Sequence, residues 1–226
     1  MRLSLLFMTI ALSVVPSLSS PIEASTNVEA LGNAGELTYS SELFARDRPY
    51  DDGADKTCNV PASKLPLWIW TADTDAKGNQ NVGWRYFRRT ITSRPGKVAK
   101  WARISITLDN IYTLVVNGKT IATDQSFRNI ESYYIPNLHP TTNLFAVRGY
   151  NNGGPGGLIA KIDIFYADNT RDVIRTDTTW KVCADRQLDK TYFQQTLDDS
   201  KWEFATDVTR NFGTKITENF QYLINA

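Results

Sequence analysis

The segment WARISITLDN (101–110) sets the tightest limit on what this chain can become. Ala102, Ile104, Ile106 and Leu108 alternate with Arg103, Ser105 and Thr107. A period of two puts the apolar side chains on one face of an extended strand and the polar ones on the other. IYTLVVNGKTIATD (111–124) follows at once, with Asn117-Gly118 between apolar arms. Both residues tolerate the positive φ of a two-residue hairpin turn, so the pair predicts a hairpin. TTNLFAVRGY (141–150) and LIAKIDIFYADNTRDVIRTD (158–177) continue the pattern, the latter with a hairpin turn at Asp168-Asn169-Thr170, and TTWKVC (178–183) adds a short strand. No stretch carries a long amphipathic helical repeat; only DDSKWEFATDVT (198–209) has the look of a helical turn. Short strands at regular spacing with turn signals between them predict an all-β sandwich.

The 226 residues leave room for one large domain with tails, and a hydrophobic content of 42% suffices for its core. A net charge of +1 without a basic run gives nothing to neutralise phosphates, so nucleic acid is not an expected partner.

MRLSLLFMTIALSVVPSLSS (1–20) has one Arg, an apolar run, then Pro and small residues. That is the layout of a secretory signal peptide, with cleavage expected between Ser17 and Ala24, and the run is too short for a membrane span. The expectation is therefore an exported, extracellular protein. Residues 25–57 lack periodicity and read as a partly ordered lead-in, 58–210 as the folded domain, and 211–226 as a C-terminal extension. Cys58 and Cys183 are the two cysteines. In an oxidising compartment an even pair predicts a disulfide, which in the chain-entropy picture would stabilise the fold by about 4–5 kcal/mol. Zinc would need more ligands than two cysteines and one distant histidine, and a redox pair would want C-x-x-C.

Catalytic patterns are scarce. A serine or cysteine nucleophile generally needs a base, and the single histidine, His139, sits in the Pro-flanked turn IPNLHPTT. G-x-S-x-G and H-E-x-x-H are absent, and the glycines of GGPGG (153–157) lack the Lys-Ser/Thr end of a phosphate cradle. A glycosidase needs only two carboxylates. Asp73, Asp75, Asp109, Asp163, Asp198 and Asp199 are the candidates, none of them in a glycosidase-like context. Among the aromatic residues, Trp68 and Phe87 alternate into apolar neighbours and read as core. Trp84 and Tyr150 stand beside polar turns and are the exposed candidates for stacking on a sugar.

Four segments in order carry a resemblance: WIWTADTD…GWRYFRRTI, ISITLDNIYTLVVNGKTIA, NLFAVRGYNNGGPGGLIAKIDI and TDTTWKV…DDSKWEFA. Over roughly 66–208 the chain resembles the galactose-binding-like, jelly-roll β-sandwich. The likeness is greatest to the non-catalytic rhamnose-binding modules of α-L-rhamnosidases and to related secreted fungal proteins. The resemblance implies a calcium ion at one end of the sandwich, held by Asp109, Asn110, Asn151 and the carbonyl of Pro155. It also implies a carbohydrate partner, a rhamnose-like or galactose-like glycan, met by Asp109, Asn110 and Asn151 with Trp84 and Tyr150 nearby. Arg85 is either a hydroxyl donor or one half of a structural salt bridge. The lead-in before Cys58 is too short for a catalytic barrel, so a stand-alone, non-catalytic lectin-like protein is expected. A structural or protein-interaction module without a sugar site and a small glycosidase remain as alternatives. The run Asn151-Asn152-Gly153-Gly154-Pro155-Gly156-Gly157 fits an ion-holding loop, where glycine lets carbonyls turn inward, and equally a plain corner.

Overall fold

The structure, a computed structural model, describes residues 65–125 and 127–212. The export segment 1–20, the lead-in 25–57, Cys58 and the extension beyond 212 lie outside the described residues. So does the Cys58–Cys183 pairing, of which only Cys183, half-buried at the end of a strand, is described.

Twelve strands run in chain order: β1 (Ile69–Trp70), β2 (Gly83–Thr92), β3 (Ala99–Asp109), β4 (Ile111–Val116), β5 (Lys119–Asp124), β6 (Glu131–Ile135), β7 (Thr142–Asn151), β8 (Gly157–Tyr166), β9 (Arg171–Arg175), β10 (Lys181–Cys183), β11 (Glu203–Phe204) and β12 (Thr206–Asp207). Two short 3-10 helices, Arg186–Lys190 and Thr209–Asn211, are the helical elements among the described residues. None is long and apolar enough to cross a membrane.

The strands form two antiparallel sheets. One has the order β12-β1-β8-β3-β6 with β9 also on β8, and the other β11-β10-β2-β7-β4-β5. The alternation in β3 resolves as expected: Ala102, Ile104, Ile106 and Leu108 are buried in the core with Leu158, Ala160, Ile162 and Ile164 of β8. Phe87 and Ile91 of β2, Leu114 and Val116 of β4, and Phe145 and Val147 of β7 close the same core from the other sheet. Trp68, Trp70 and Trp180 are fully buried with them. The Tyr112 and Tyr133 hydroxyls, buried in this layer, satisfy each other across 3.1 Å, as buried hydroxyls require. Ser105 and Thr107, on the opposite face of β3, are buried as well. Ser105 is satisfied by the Ser132 hydroxyl across 2.8 Å.

Both predicted hairpins are present. Asn117 and Gly118 take φ of 50° and 80° between β4 and β5, and Asn169 takes φ of 62° between β8 and β9. The helical turn read over 198–209 is corrected. Glu203–Phe204 pairs with β10 and Thr206–Asp207 with β1, and Ala205 and Val208 enter the core. The extended path completes an edge of each sheet, which a short helix there would leave with unpaired backbone groups.

Candidate functional site

Where β3 passes into β4, the chain runs through Asp109 and Asn110, joined by a cis peptide bond. The same end of the sandwich holds the start of β2 and the loop from β7 to β8. Gly83 pairs with Asn151, and Asp109 pairs with Gly157. Asn110 ties the two loops together. Its N–H donates to the Tyr150 carbonyl at 2.8 Å, and its side-chain oxygen accepts from the Asn152 N–H at 2.8 Å.

The glycine run is needed for this geometry. Gly153 and Gly154 take φ of +143° and +74°, values that cost glycine nothing and strain other residues. A side chain on Gly156 would meet the Asn151 amide nitrogen at 2.8 Å. Asn151, fully buried, holds the loop from beneath: its Nδ2 donates to the Gln80 carbonyl at 2.9 Å and the Gly154 carbonyl at 3.3 Å, while its Oδ1 accepts from the Gly153 N–H at 3.0 Å. Gln80 completes the cradle, its Oε1 accepting from the Gly156 N–H and from Asn211. Nothing in the segment GNQN marks Gln80 as special, because its partners lie at positions 151, 156 and 211 and no local pattern links them.

Asp109 is the unusual group. Its carboxylate is only 7% exposed, accepts a hydrogen bond from the Asn110 side chain, and faces no cation among the described residues. Burial pushes its pKa from 3.8 up to about 6, since desolvation penalises the charged form. Ion-paired or turn-bound partners engage the other candidate carboxylates. Asp73 pairs with Arg85 at 2.7 Å, Asp163 with Lys161 at 3.0 Å and Asp199 with Arg88 at 2.7 Å. Asp75 and Asp198 accept from backbone N–H groups of their own turns.

The donor set at the loop end suits a hard cation: one carboxylate without a counter-charge among the described residues, two side-chain amides and backbone carbonyls, as Ca²⁺ takes. Asp109, Asn110 and the Pro155 carbonyl are the groups that could hold it. The Asn110 and Asn151 oxygens already accept from the Asn152 and Gly153 N–H groups, so each would offer a cation its second lone pair, and Asn151 is in addition the organiser of the loop. No cluster of three or more His, Cys, Asp or Glu side chains that could hold a metal occurs among the described residues.

Beside this end, Trp84 and Tyr150 lie directly opposite each other on β2 and β7, half-buried, with ring centroids 4.8 Å apart. The Arg148 guanidinium covers the Trp84 ring at 4.7 Å and pairs with Asp189 at 2.9 Å. Arg85 points the other way. Its guanidinium is spent on Thr71 at 2.7 Å, Asp73 at 2.7 Å and the Trp84 carbonyl at 2.9 Å, and it lies 5.8 Å from the Trp70 ring. The salt bridge, one of the two roles read from the sequence, is present. His139 is in an exposed turn far along the sheet, pinned through its backbone to Asn143 at 2.8 Å and 2.9 Å. Two depressions of ≈ 310 Å³ lie away from the loop end, one over Thr90, His139 and Leu144 and one over Arg89, Thr92 and Val173.

No family model matches the chain. An α-L-rhamnosidase of Streptomyces avermitilis is 26% identical over 182 residues, which are 77% of this chain and 17% of that enzyme. Among solved structures, the lectin from Pleurotus ostreatus in complex with GalNAc superposes with a TM-score of 0.59 at 39% identity, over 63% of this chain and 41% of that one. The Streptomyces avermitilis α-L-rhamnosidase complexed with L-rhamnose gives a TM-score of 0.55 at 23% identity over 66% of this chain and 16% of that chain, a likeness of fold. The chain thus spans about two-fifths of the lectin and under a fifth of the rhamnosidase. The resemblance read from the four sequence segments holds: this is a galactose-binding-like β-sandwich, similar to a Pleurotus lectin and to a portion of α-L-rhamnosidases.

Proposed function

We propose that this chain is an exported, non-catalytic carbohydrate-binding protein that holds Ca²⁺ and a sugar at the Asp109–Asn110 end of its sandwich. One observation carries the reading. A carboxylate is buried where two loops meet, with no cation beside it among the described residues, and desolvation lifts its pKa to about 6. A divalent ion would supply the missing counter-charge and offer its open positions to sugar hydroxyls. Asn110 and the backbone around Pro155 would complete the ligands, and Asn151 and Gln80 would keep the loop in shape. Trp84 and Tyr150 offer an aromatic flank. The lectin at 39% identity, described in complex with GalNAc, supports a sugar ligand, and the rhamnosidase likeness supports a rhamnose-like alternative. The engagement of the other candidate carboxylates favours binding over hydrolysis. Shallow sugar sites bind at micromolar to millimolar Kd unless several act together.

Calorimetric titration of the full chain with GalNAc, D-galactose and L-rhamnose, each with Ca²⁺ and with chelator, tests this. Saturable heat with one of the sugars that disappears in chelator is the expected result. Silence with all three sugars in Ca²⁺ would overturn it.

A further inference from the structure

The outer face of the sheet β11-β10-β2-β7-β4-β5 divides into a covered part and an open part. Phe87, Val147 and Leu114 turn into the core, so the alternate residues of β2, β7 and β4 project outward. Away from the loop end the chain covers itself. Tyr86, Val115, Leu144 and Ala146 are buried there with Tyr192, and Leu188 and Phe193 pack against them. Next to the loop end, two rows stay open. Register sets Trp84, Tyr150 and Ile111 side by side across β2, β7 and β4. It sets Arg148, Thr113 and Thr123 side by side across β7, β4 and β5. Thr123 is exposed and the other five are half-buried.

The first row is apolar. Its Trp84 ring carries the Arg148 guanidinium at 4.7 Å, so the surface left to a ligand belongs to Tyr150 and Ile111. The second row is polar and has hydrogen-bonding capacity to spare. The Thr113 and Thr123 hydroxyls lie 3.1 Å apart, which engages one of their two protons. Arg148 donates through Nη1 to Asp189 Oδ1 at 2.9 Å, and the Tyr86 hydroxyl donates to the same oxygen at 3.1 Å. Oδ2 of Asp189 accepts no hydrogen bond from a described residue, and Arg148 Nε is buried without a partner among them. The Arg148 and Asp189 side chains are 29% and 48% exposed. They neutralise each other, so the pair asks for hydroxyls rather than for a charged group.

We infer that this strip is a second subsite, continuous with the loop end, that takes the next residue of a neutral glycan. The ligand is then an oligosaccharide rather than a single sugar. This rests on the loop-end reading given above. Asn110 directly precedes Ile111 and its N–H donates to the Tyr150 carbonyl, so no residue intervenes between the Asp109–Asn110 corner and the first row. The two rows are separated by two residues along each strand, roughly 7 Å. A sugar ring laid across them would cover Tyr150 and Ile111 with its C–H face and turn hydroxyls to Thr113, Arg148 and Asp189. An apolar floor with a few convergent polar groups is what holds and orients a small ligand. Beyond the second row Leu188 and Tyr192 close the sheet, which leaves room for one further residue in that direction.

The test is calorimetry of the full chain in Ca²⁺ with three monosaccharides and three disaccharides that carry them at the non-reducing end: D-galactose and lactose, GalNAc and GalNAcβ1-4GlcNAc, L-rhamnose and rutinose. Expected is a disaccharide that binds about tenfold tighter than its own monosaccharide. The gain should vanish in a folded Asp189→Ala variant and shrink in Thr113→Val, a change that strand backbone tolerates. The monosaccharide Kd should stay within about twofold in both. Monosaccharide binding without a gain for any disaccharide, or a gain that survives in both variants, would overturn this inference and leave the loop-end reading standing. Silence with all six sugars would overturn both.

Discussion

The buried side chain of Asn151 donates to the backbone carbonyl of Gln80 across 2.9 Å, although 71 residues separate them in the chain. With the bonds to Gly153 and Gly154, this one amide fixes the loop that faces Asp109. Asn151→Ala should orphan buried polar groups on both sides, at about 2–3 kcal/mol. It should also lower calcium affinity more than a surface substitution such as Asn152→Ala. Chemical denaturation and calcium titration of the two variants measure both effects.

Asp109 makes the calcium-free protein pH-sensitive. Its folded pKa of about 6 lies above its ordinary 3.8, so between these values the folded state holds more protons than the unfolded one. Stability therefore falls as pH rises from about 4 to about 6. Above that the ionised, buried carboxylate costs about 2–3 kcal/mol. Asp109→Asn removes the charge and keeps the acceptor for Asn110. In chelator the variant should melt roughly 5–10 °C higher than the parent at pH 7.5 and at the same temperature at pH 4. Equal melting at both pH values would refute the burial cost.

Gly149 sits on β7 where a β-carbon would collide with the Leu108 side chain. Gly149→Ala should cost about 1–3 kcal/mol through overpacking. Leu108→Ala in the same chain should recover part of that loss relative to Leu108→Ala alone, since the smaller residue frees the space. A double-mutant cycle from urea midpoints reads this coupling.

Arg85 should matter to stability and not to ligand affinity. Arg85→Met keeps the aliphatic stem, leaves Asp73 at a position where its side chain is 44% exposed, and removes three hydrogen bonds. The expected loss is about 1–3 kcal/mol, with the sugar Kd within twofold of the parent under calcium. A large loss of affinity at unchanged stability would return Arg85 to the ligand.

The sandwich was legible in the sequence because its signals are local. Alternation in β3 and the Asn117-Gly118 pair each depend on neighbours a few residues apart. Asp109, Asn110 and the glycine run were legible as candidates for the same reason, through the short patterns that carry the resemblance. Gln80, the commitment of Arg85 to Asp73, and the inward turn of Asn151 were not, since each depends on partners brought together by sheet pairing. The strands at 203–207 were misread as a helical turn because two-residue edge strands are dictated by the open edges of β10 and β1.

The most direct test of the account is calcium titration by calorimetry of the parent chain and of Asp109→Asn, at pH 7.5 after exhaustive chelation. The account predicts one calcium ion bound per chain in the parent and at least a hundredfold weaker binding in the variant, with the melting temperature of the parent rising on calcium addition. Absence of calcium binding in the parent, or equal binding by Asp109→Asn, would contradict it.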